Sequence, residues 1–147
     1  MMIRFSERSS RVFQKAYEAS LEQSVSYIGT EHILLGILDE EDGMAYTVLS
    51  AGGADPARIR EAVLSLGAGK TEESPEPVDP SDPEAILSRM TPRTKRLVEL
   101  AAHEARKMNQ EVIEPEHLLL GMIRSGESIA LRILASMGLN IKMIYEQ

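Results

Sequence analysis

Apolar residues recur every three or four positions along most of this chain, which is the spacing that buries one face of a helix. The clearest case follows Thr91, where Leu97, Ala101 and Ala105 fall on one side of a helix. No stretch alternates apolar and polar residues over the length that a sheet strand needs. The pattern therefore predicts an all-α fold.

The second half of the chain repeats the first. The stretch YIGTEHILLG at residues 27–36 returns 85 positions later as VIEPEHLLLG at residues 112–121. With this shift, residues 6–62 align with residues 91–147 without a gap. A gapless repeat of this length indicates two copies of one supersecondary unit, each burying its apolar face against the other. We expect a pseudo-twofold tandem repeat of two four-helix units, with eight helices in all.

Residues that favour helix ends occur at matching places in the two units. The helix that carries the repeated ten residues is apolar almost all round, which is typical of a buried helix. The fourth helix of the second unit stops at Gln147, which aligns with Ala62, so we expect the chain to be part of a longer protein. The residues expected to begin or end helices are Ser6, Thr30, Gly53 and Asp55 in the first unit, and Thr91, Gly138 and Asn140 in the second.

An acidic, proline-rich segment separates the two copies. Residues 67–90 hold four of the seven prolines, and six acidic residues against two basic ones. Such a segment cannot form one continuous helix and offers little to bury, so it is predicted to be a linker, with one helical turn beginning at Pro83. We expect a single domain over residues 1–147, with the first repeat at 5–66 and the second, whose last helix is truncated, at 91–147.

Composition argues against several classes of protein. The net charge of -7 does not suit binding to a nucleic acid backbone. The chain has no cysteine, so neither disulfides nor thiolate metal sites can form. The apolar runs are too short to cross a bilayer. We expect a cytoplasmic, monomeric protein that binds neither nucleic acid nor membrane.

Two features invite a catalytic interpretation that their surroundings do not support. GAGKT at residues 67–71 matches part of a phosphate-binding P-loop, but Leu64 stands where the loop needs its first glycine. His32 and His117 each follow a glutamate but lack a second ligand at metal-binding spacing, so we expect structural histidines that bond to nearby backbone carbonyls. His103 has no counterpart in the first repeat and is expected at the surface. We predict no enzymatic activity, no metal and no cofactor in this chain.

Four segments resemble the N-terminal domain of Clp-family AAA+ unfoldases, and that of ClpC in particular. They read RFSERSSRVFQKAYEAS, YIGTEHILLGIL, TPRTKRLVELAAHEARK and EPEHLLLGMI. The resemblance implies an eight-helix bundle that receives adaptor proteins and protein substrates. It would pass them to attached AAA+ modules, which use ATP and Mg²⁺ and feed the ClpP peptidase. The resemblance also implies recognition of phosphorylated arginine at two equivalent pockets.

Glu31 and Glu116 are the candidate binding residues within the repeated ten. A carboxylate in the first turn of a helix is stabilised by the helix dipole, and an accessible one can pair with a guanidinium group. The first helices begin at Ser6 and Thr91, which offer a hydroxyl and backbone N–H groups suited to phosphate. As the resemblance implies, Glu31 with Ser6 and Glu116 with Thr91 would form two phosphoarginine sites.

The second of these sites departs from the first. Glu114 and Pro115 stand where the first copy has glycine and threonine. Proline has neither an N–H nor a hydroxyl, and the additional carboxylate repels a phosphate. We therefore expect Glu31 to contribute more to binding than Glu116.

The main alternative is a free-standing Clp-repeat adaptor or decoy with no ATPase attached. An enzyme would need a nucleophile, a base and a residue that orients the base, and the sequence offers no such set. A helix-turn-helix regulator would need a basic recognition helix, which an acidic chain of this composition does not supply.

Overall fold

The computed structural model describes residues 4–22, 27–40, 43–65, 83–125, 128–136 and 138. These residues form eight helices and two very short strands, so the predicted all-α fold is confirmed. None of these helices combines the length and the apolar character that crossing a membrane requires. The elements are β1 (Arg4–Phe5), α1 (Glu7–Glu22), α2 (Thr30–Asp39), α3 (Met44–Ala51), α4 (Pro56–Ser65), α5 (Pro83–Ser88), α6 (Pro92–Lys107), β2 (Val112–Ile113), α7 (Pro115–Arg124) and α8 (Ile129–Ser136).

Each repeat is built around one close helix pair, α1 with α2 in the first copy and α6 with α7 in the second. The glycine that ends the repeated ten residues lies at the crossing of the pair. A Cβ on Gly36 would collide with the backbone carbonyl of Val12, and a Cβ on Gly121 would collide with that of Leu97. Because no side chain fits between the two helices, the glycine is required in both copies.

The two repeats share one hydrophobic core. Its members are largely aliphatic, as expected for a chain with no tryptophan and only two phenylalanines. The burial of α2 is nearly complete, which agrees with its apolar sequence. The largest fully buried side chains include Phe13, Ile33, Leu34 and Leu49 from the first repeat, and Leu97, Leu118 and Met122 from the second.

Short parallel backbone pairings join the repeats crosswise. β1 pairs with β2, with Phe5 opposite Ile113. The N–H of Ser6 donates to the carbonyl of Ile113 at 3.1 Å, and the N–H of Thr91 donates to the carbonyl of Ile28 at 3.1 Å. These two bonds are equivalents under the 85-residue shift. The first helix of each repeat therefore begins beside the second helix of the other, and strands of two residues are too short to leave an alternating pattern in the sequence.

Most of the predicted helix ends are confirmed. The side-chain oxygens of Ser6 and Thr91 each accept the backbone N–H three residues further on, at 3.1 Å. Asp55 caps α4 by accepting the N–H two residues further on, also at 3.1 Å. Gly53 and Gly138 have φ angles of 100° and 82°, the left-handed conformation in which a glycine ends a helix.

Thr30 was expected to cap α2, and this expectation is wrong. The N-cap is Gly29, and Thr30 is the first residue of the helix. The hydroxyl of Thr30 instead accepts the backbone N–H of Ala130, at 3.3 Å, near the start of α8. The side chain therefore links the repeats where a local cap was predicted.

The segment between the repeats ends in a helix that packs into the domain. Helix α5 begins at a proline, as predicted, and its Ile86 is only 1% exposed. Met90 is also buried, so this end of the segment predicted as a linker contributes two side chains to the hydrophobic core. The rest of the predicted linker, including GAGKT, lies outside the described residues, as do Asn140 and the truncated last helix.

Candidate functional site

A pocket of about 290 Å³ lies where helices α2, α6 and α8 begin. Both repeats contribute to its wall, and we call it the Glu31 pocket. A helix start carries a partial positive charge and unsatisfied N–H groups, so three converging helix starts favour an anionic ligand. The first repeat contributes Gly29, Thr30 and Glu31, and the second contributes Thr91, Arg93 and Arg132.

The Glu31 carboxylate is buried, whereas the sequence suggested an accessible side chain. The residue is 2% exposed, and its carboxylate folds back over Gly29 so closely that a Cβ on residue 29 would collide with it. Burial raises the pKa of Glu31, against a hydrogen bond from its own backbone N–H. Among the described residues, no lysine or arginine lies within ion-pair distance of this carboxylate, so it can accept a cation from a ligand.

The wall that comes from the second repeat is cationic. Arg93 and Arg132 both line the pocket. Hydroxyl groups hold the adjacent helix starts in place, because Thr91 caps α6 and Ser128 accepts the N–H of Leu131 at 3.1 Å in α8. Neither arginine was among the residues predicted from the sequence. Arg93 could have been noticed because its counterpart under the repeat is also arginine, but Arg132 has no such counterpart.

The structure groups the predicted site residues across the repeats, whereas the sequence suggested pairs within each repeat. The structure places Thr91, and not Ser6, in the pocket with Glu31. Ser6 instead bonds to Ile113, three residues before Glu116. Glu31 and Thr91 thus line one pocket although they come from different repeats, and Ser6 is bonded to the strand that precedes Glu116. The repeated sequence could not reveal this, because Glu31 and Glu116 are equivalent under the repeat, and so are Ser6 and Thr91.

The position equivalent to the Glu31 pocket in the other half has a different charge. Arg8 is retained as the counterpart of Arg93, and its guanidinium lies beside Gly43 at the start of α3. Thr47 stands in place of Arg132, and its hydroxyl donates to the carbonyl of Gly43 at 3.2 Å. One of the two cationic side chains is therefore missing.

The carboxylate of this second position also has a different setting. Glu114 replaces Gly29, so a side chain occupies the space over which Glu31 folds back. Glu116 is accordingly only half-buried, where Glu31 is fully buried. Two carboxylates and one arginine give this position a net charge of about -1 if all three groups are ionised.

His32 and His117 stabilise the starts of α2 and α7. The Nδ1 atom of His32 accepts the N–H of Gly29 at 2.8 Å, and that of His117 accepts the N–H of Glu114 at 2.9 Å. The role is structural, as predicted, although these bonds go to backbone amides and the sequence suggested carbonyls. Burial lowers the pKa of His32 to about 4 and also lowers that of His117, so both rings are neutral acceptors at pH 7. His103 is exposed, as predicted, and the described residues contain no cluster of potential metal ligands.

Comparison with curated proteins finds relatives along the whole chain. The chain is 37% identical over 147 residues to the negative regulator of genetic competence ClpC/MecB of Bacillus subtilis (strain 168). It is 36% identical over 148 residues to the chaperone protein ClpB of Oceanobacillus iheyensis. All of this chain is covered in both comparisons, but only 17% of either relative. The chain therefore spans about a sixth of the length of these curated relatives.

Solved structures with the same fold are N-terminal domains of related chaperones. The N-terminal domain of ClpD from Arabidopsis thaliana superposes with a TM-score of 0.75 at 25% identity, covering 97% of this chain and 90% of that one. The Hsp104 N-terminal domain from Candida albicans superposes with a TM-score of 0.76 at 14% identity, covering 97% and 87%, and shows the fold alone. The family described as the Clp repeat (R) N-terminal domain matches residues 4–137. This chain belongs to the Clp repeat N-terminal domain family.

Proposed function

We propose that this domain receives protein substrates and adaptor proteins for a Clp ATPase, and that the Glu31 pocket recognises phosphorylated arginine. The observation that carries the proposal is the charge arrangement of the pocket. A buried carboxylate, with no lysine or arginine of the described part of the chain within ion-pair distance, faces the same cavity as two arginines and three helix starts. Phosphoarginine joins a guanidinium to a phosphoryl group, so it presents to this pocket the complementary charges.

The pocket residues take separate roles in this proposal. Glu31 accepts hydrogen bonds from the guanidinium of the ligand, which a carboxylate can do in a bidentate manner. Thr91 and the start of α6 face the phosphoryl group, as the helix dipole favours. Arginine without the phosphoryl group could still pair with Glu31 but would offer no anion to the helix starts or to Arg132, so the pocket should bind it more weakly.

The proposal extends to the protein from which this domain comes. The curated relatives are named as Clp proteins and are about six times longer than this chain. The remaining part would carry the AAA+ modules that bind ATP and Mg²⁺ and work with the ClpP peptidase. The domain itself would recognise and hand over substrates without catalysing a reaction.

A matched pair of substitutions tests the role of the pocket. Glu31→Ala and Glu116→Ala remove the same group from equivalent positions of the two repeats, and free phosphoarginine is titrated into each variant by calorimetry. Glu31→Ala should weaken binding at least about tenfold, equivalent to about 1.4 kcal/mol, while Glu116→Ala should have a smaller effect. Unmodified arginine is the control ligand and should bind weakly to all three proteins. Equal affinity of the wild type and Glu31→Ala for phosphoarginine would contradict the proposed function.

A further inference from the structure

We propose that Arg132 holds the phosphoryl group of the ligand and that its presence in only one half of the molecule restricts phosphoarginine binding to one site per chain. This inference rests on the proposed function of the Glu31 pocket. It adds a residue that determines affinity, and it extends the difference expected between the two sites to a stoichiometry of one ligand per chain.

The position of Arg132 supports this role. It lies in the first turn of α8, whose start lines the Glu31 pocket, and its own side chain is part of the lining. Within the described part of the chain, no acidic side chain lies within ion-pair distance of its guanidinium. An arginine in this position can form charge-assisted hydrogen bonds to a phosphoryl group, in a planar geometry that lysine or threonine cannot reproduce.

The twofold repeat supplies an internal comparison for this residue. Arg93 has an arginine counterpart in the other half, so it cannot account for a difference between the two positions. Arg132 corresponds to Thr47, whose hydroxyl is already bonded to the backbone of its own helix. The second position therefore lacks one cation and has no free hydroxyl donor in its place.

The net charges of the two positions also favour binding at the Glu31 pocket alone. With all groups ionised, one carboxylate and two guanidinium groups give the Glu31 pocket a net charge of about +1. A phosphoryl group carries about -1.5 to -2 at pH 7 and the guanidinium of the ligand about +1, so phosphoarginine is a net anion. The equivalent position, with Glu114, Glu116 and Arg8, has a net charge of about -1 and would repel it.

Calorimetry with free phosphoarginine tests the inference. Wild type should bind one ligand per chain, and Arg132→Thr, which installs the residue of the twin position, should weaken binding at least about tenfold. Arg106→Thr is the matched control, because it removes the same charge from an exposed position on α6 outside the pocket. The control should bind as the wild type does. Thermal unfolding should show that both variants remain folded, since both side chains are exposed.

A gain of function tests the stoichiometry. Thr47→Arg combined with Glu114→Gly gives the second position the charge and the open space of the first, and a second binding event should appear. Two sites in the wild type, one site in the double variant, or equal affinities of Arg132→Thr and Arg106→Thr would overturn the inference. If the wild type binds and Glu31→Ala does not, while Arg132→Thr binds normally, only this inference fails. If the wild type itself does not bind phosphoarginine, the proposed function fails as well.

Discussion

The two halves of this domain are alike in their packing and different in their charge. Gly36 and Gly121 meet the backbone of a neighbouring helix in the same way, and the two histidines accept equivalent backbone bonds. The charges at the helix starts differ between the two halves, because Gly29 corresponds to Glu114 and Arg132 corresponds to Thr47. Residues that hold the helices together cannot change without cost in either copy, whereas residues at the rim of a pocket can change in one copy alone.

The largest effect is expected from the paired glycines. Gly36→Ala and Gly121→Ala would each force a Cβ into the backbone of the partner helix, and neither helix can yield without separating the pair. Each substitution should lower the free energy of unfolding by about 3 kcal/mol or more, at the upper end of overpacking effects. Urea denaturation measures the loss. If one substitution costs less than about 1 kcal/mol, the packing of the two halves is not equivalent.

The buried histidines should make the protein sensitive to acid. The pKa of His32 falls from 6.5 to about 4 on folding, so its contribution to stability is complete above pH 6.5 and is lost as the pH falls toward 4. At about 1.36 kcal/mol per pKa unit, the loss reaches about 3 kcal/mol. Urea denaturation between pH 7 and 4.5 follows this loss.

Asparagine substitutions distinguish the contributions of the two histidines to the pH dependence of stability. In His32→Asn the amide oxygen can still accept the Gly29 N–H but does not titrate, so the dependence of stability on pH should become shallower. The same change at His117 should matter less, because neighbouring carboxylates oppose the shift of its pKa. An unchanged pH dependence in His32→Asn would show that another group causes the acid sensitivity.

Gly29→Ala tests whether ligand binding needs the folded-back position of the Glu31 carboxylate, which only this half of the molecule has room for. The new Cβ would displace the Glu31 carboxylate, which is the end of a flexible side chain, so stability should change by less than about 1 kcal/mol. Phosphoarginine binding should weaken about tenfold, because the carboxylate leaves its place in the pocket. Calorimetry measures the affinity, and a wild-type affinity in this variant would mean that the folded-back position of Glu31 is not needed.

The smallest effect concerns the cost of burying Glu31. Because the pKa of Glu31 is raised on folding, its contribution to stability is present below the unfolded value of 4.5 and is lost as the pH rises through the folded value. Glu31→Gln should therefore be at least as stable as the wild type at pH 7, with a gain below about 1 kcal/mol that vanishes near pH 4. Urea denaturation at both pH values measures it. A less stable variant at pH 7 would mean that the ionised carboxylate helps to hold the fold.

Much of the fold could be predicted from the sequence because its determinants are local. Helical periodicity, caps such as Thr91 and Asp55, and the glycines that end α3 and α8 depend on residues a few positions apart. The role of Thr30 was missed because its hydroxyl caps a helix one hundred residues away. Helix α5 was foreseen as one turn, but the burial of Ile86 depends on contacts that its acidic neighbourhood does not indicate.

The candidate site was predicted less completely than the fold. Glu31 and Thr91 were identified as candidates because the repeat drew attention to helix starts, and both line the pocket. Their pairing could not be deduced, because an exact repeat fits contacts within and between copies equally well. Arg132 lies outside the repeated ten residues and has no arginine twin, so only the arrangement of the helices in space brings it to the pocket.

The crosswise pairing of the halves also has a consequence for timing during synthesis. The ribosome releases Glu31 about a hundred residues before Arg132, and at 5–20 residues per second this interval lasts about 5 to 20 s. Thr91 and Arg93 follow Glu31 after about sixty residues and Arg132 comes last, so the wall from the second copy stays incomplete throughout this interval. The pocket can close only when the second copy has emerged and docked, so an unfinished chain has no complete pocket with which to capture a ligand.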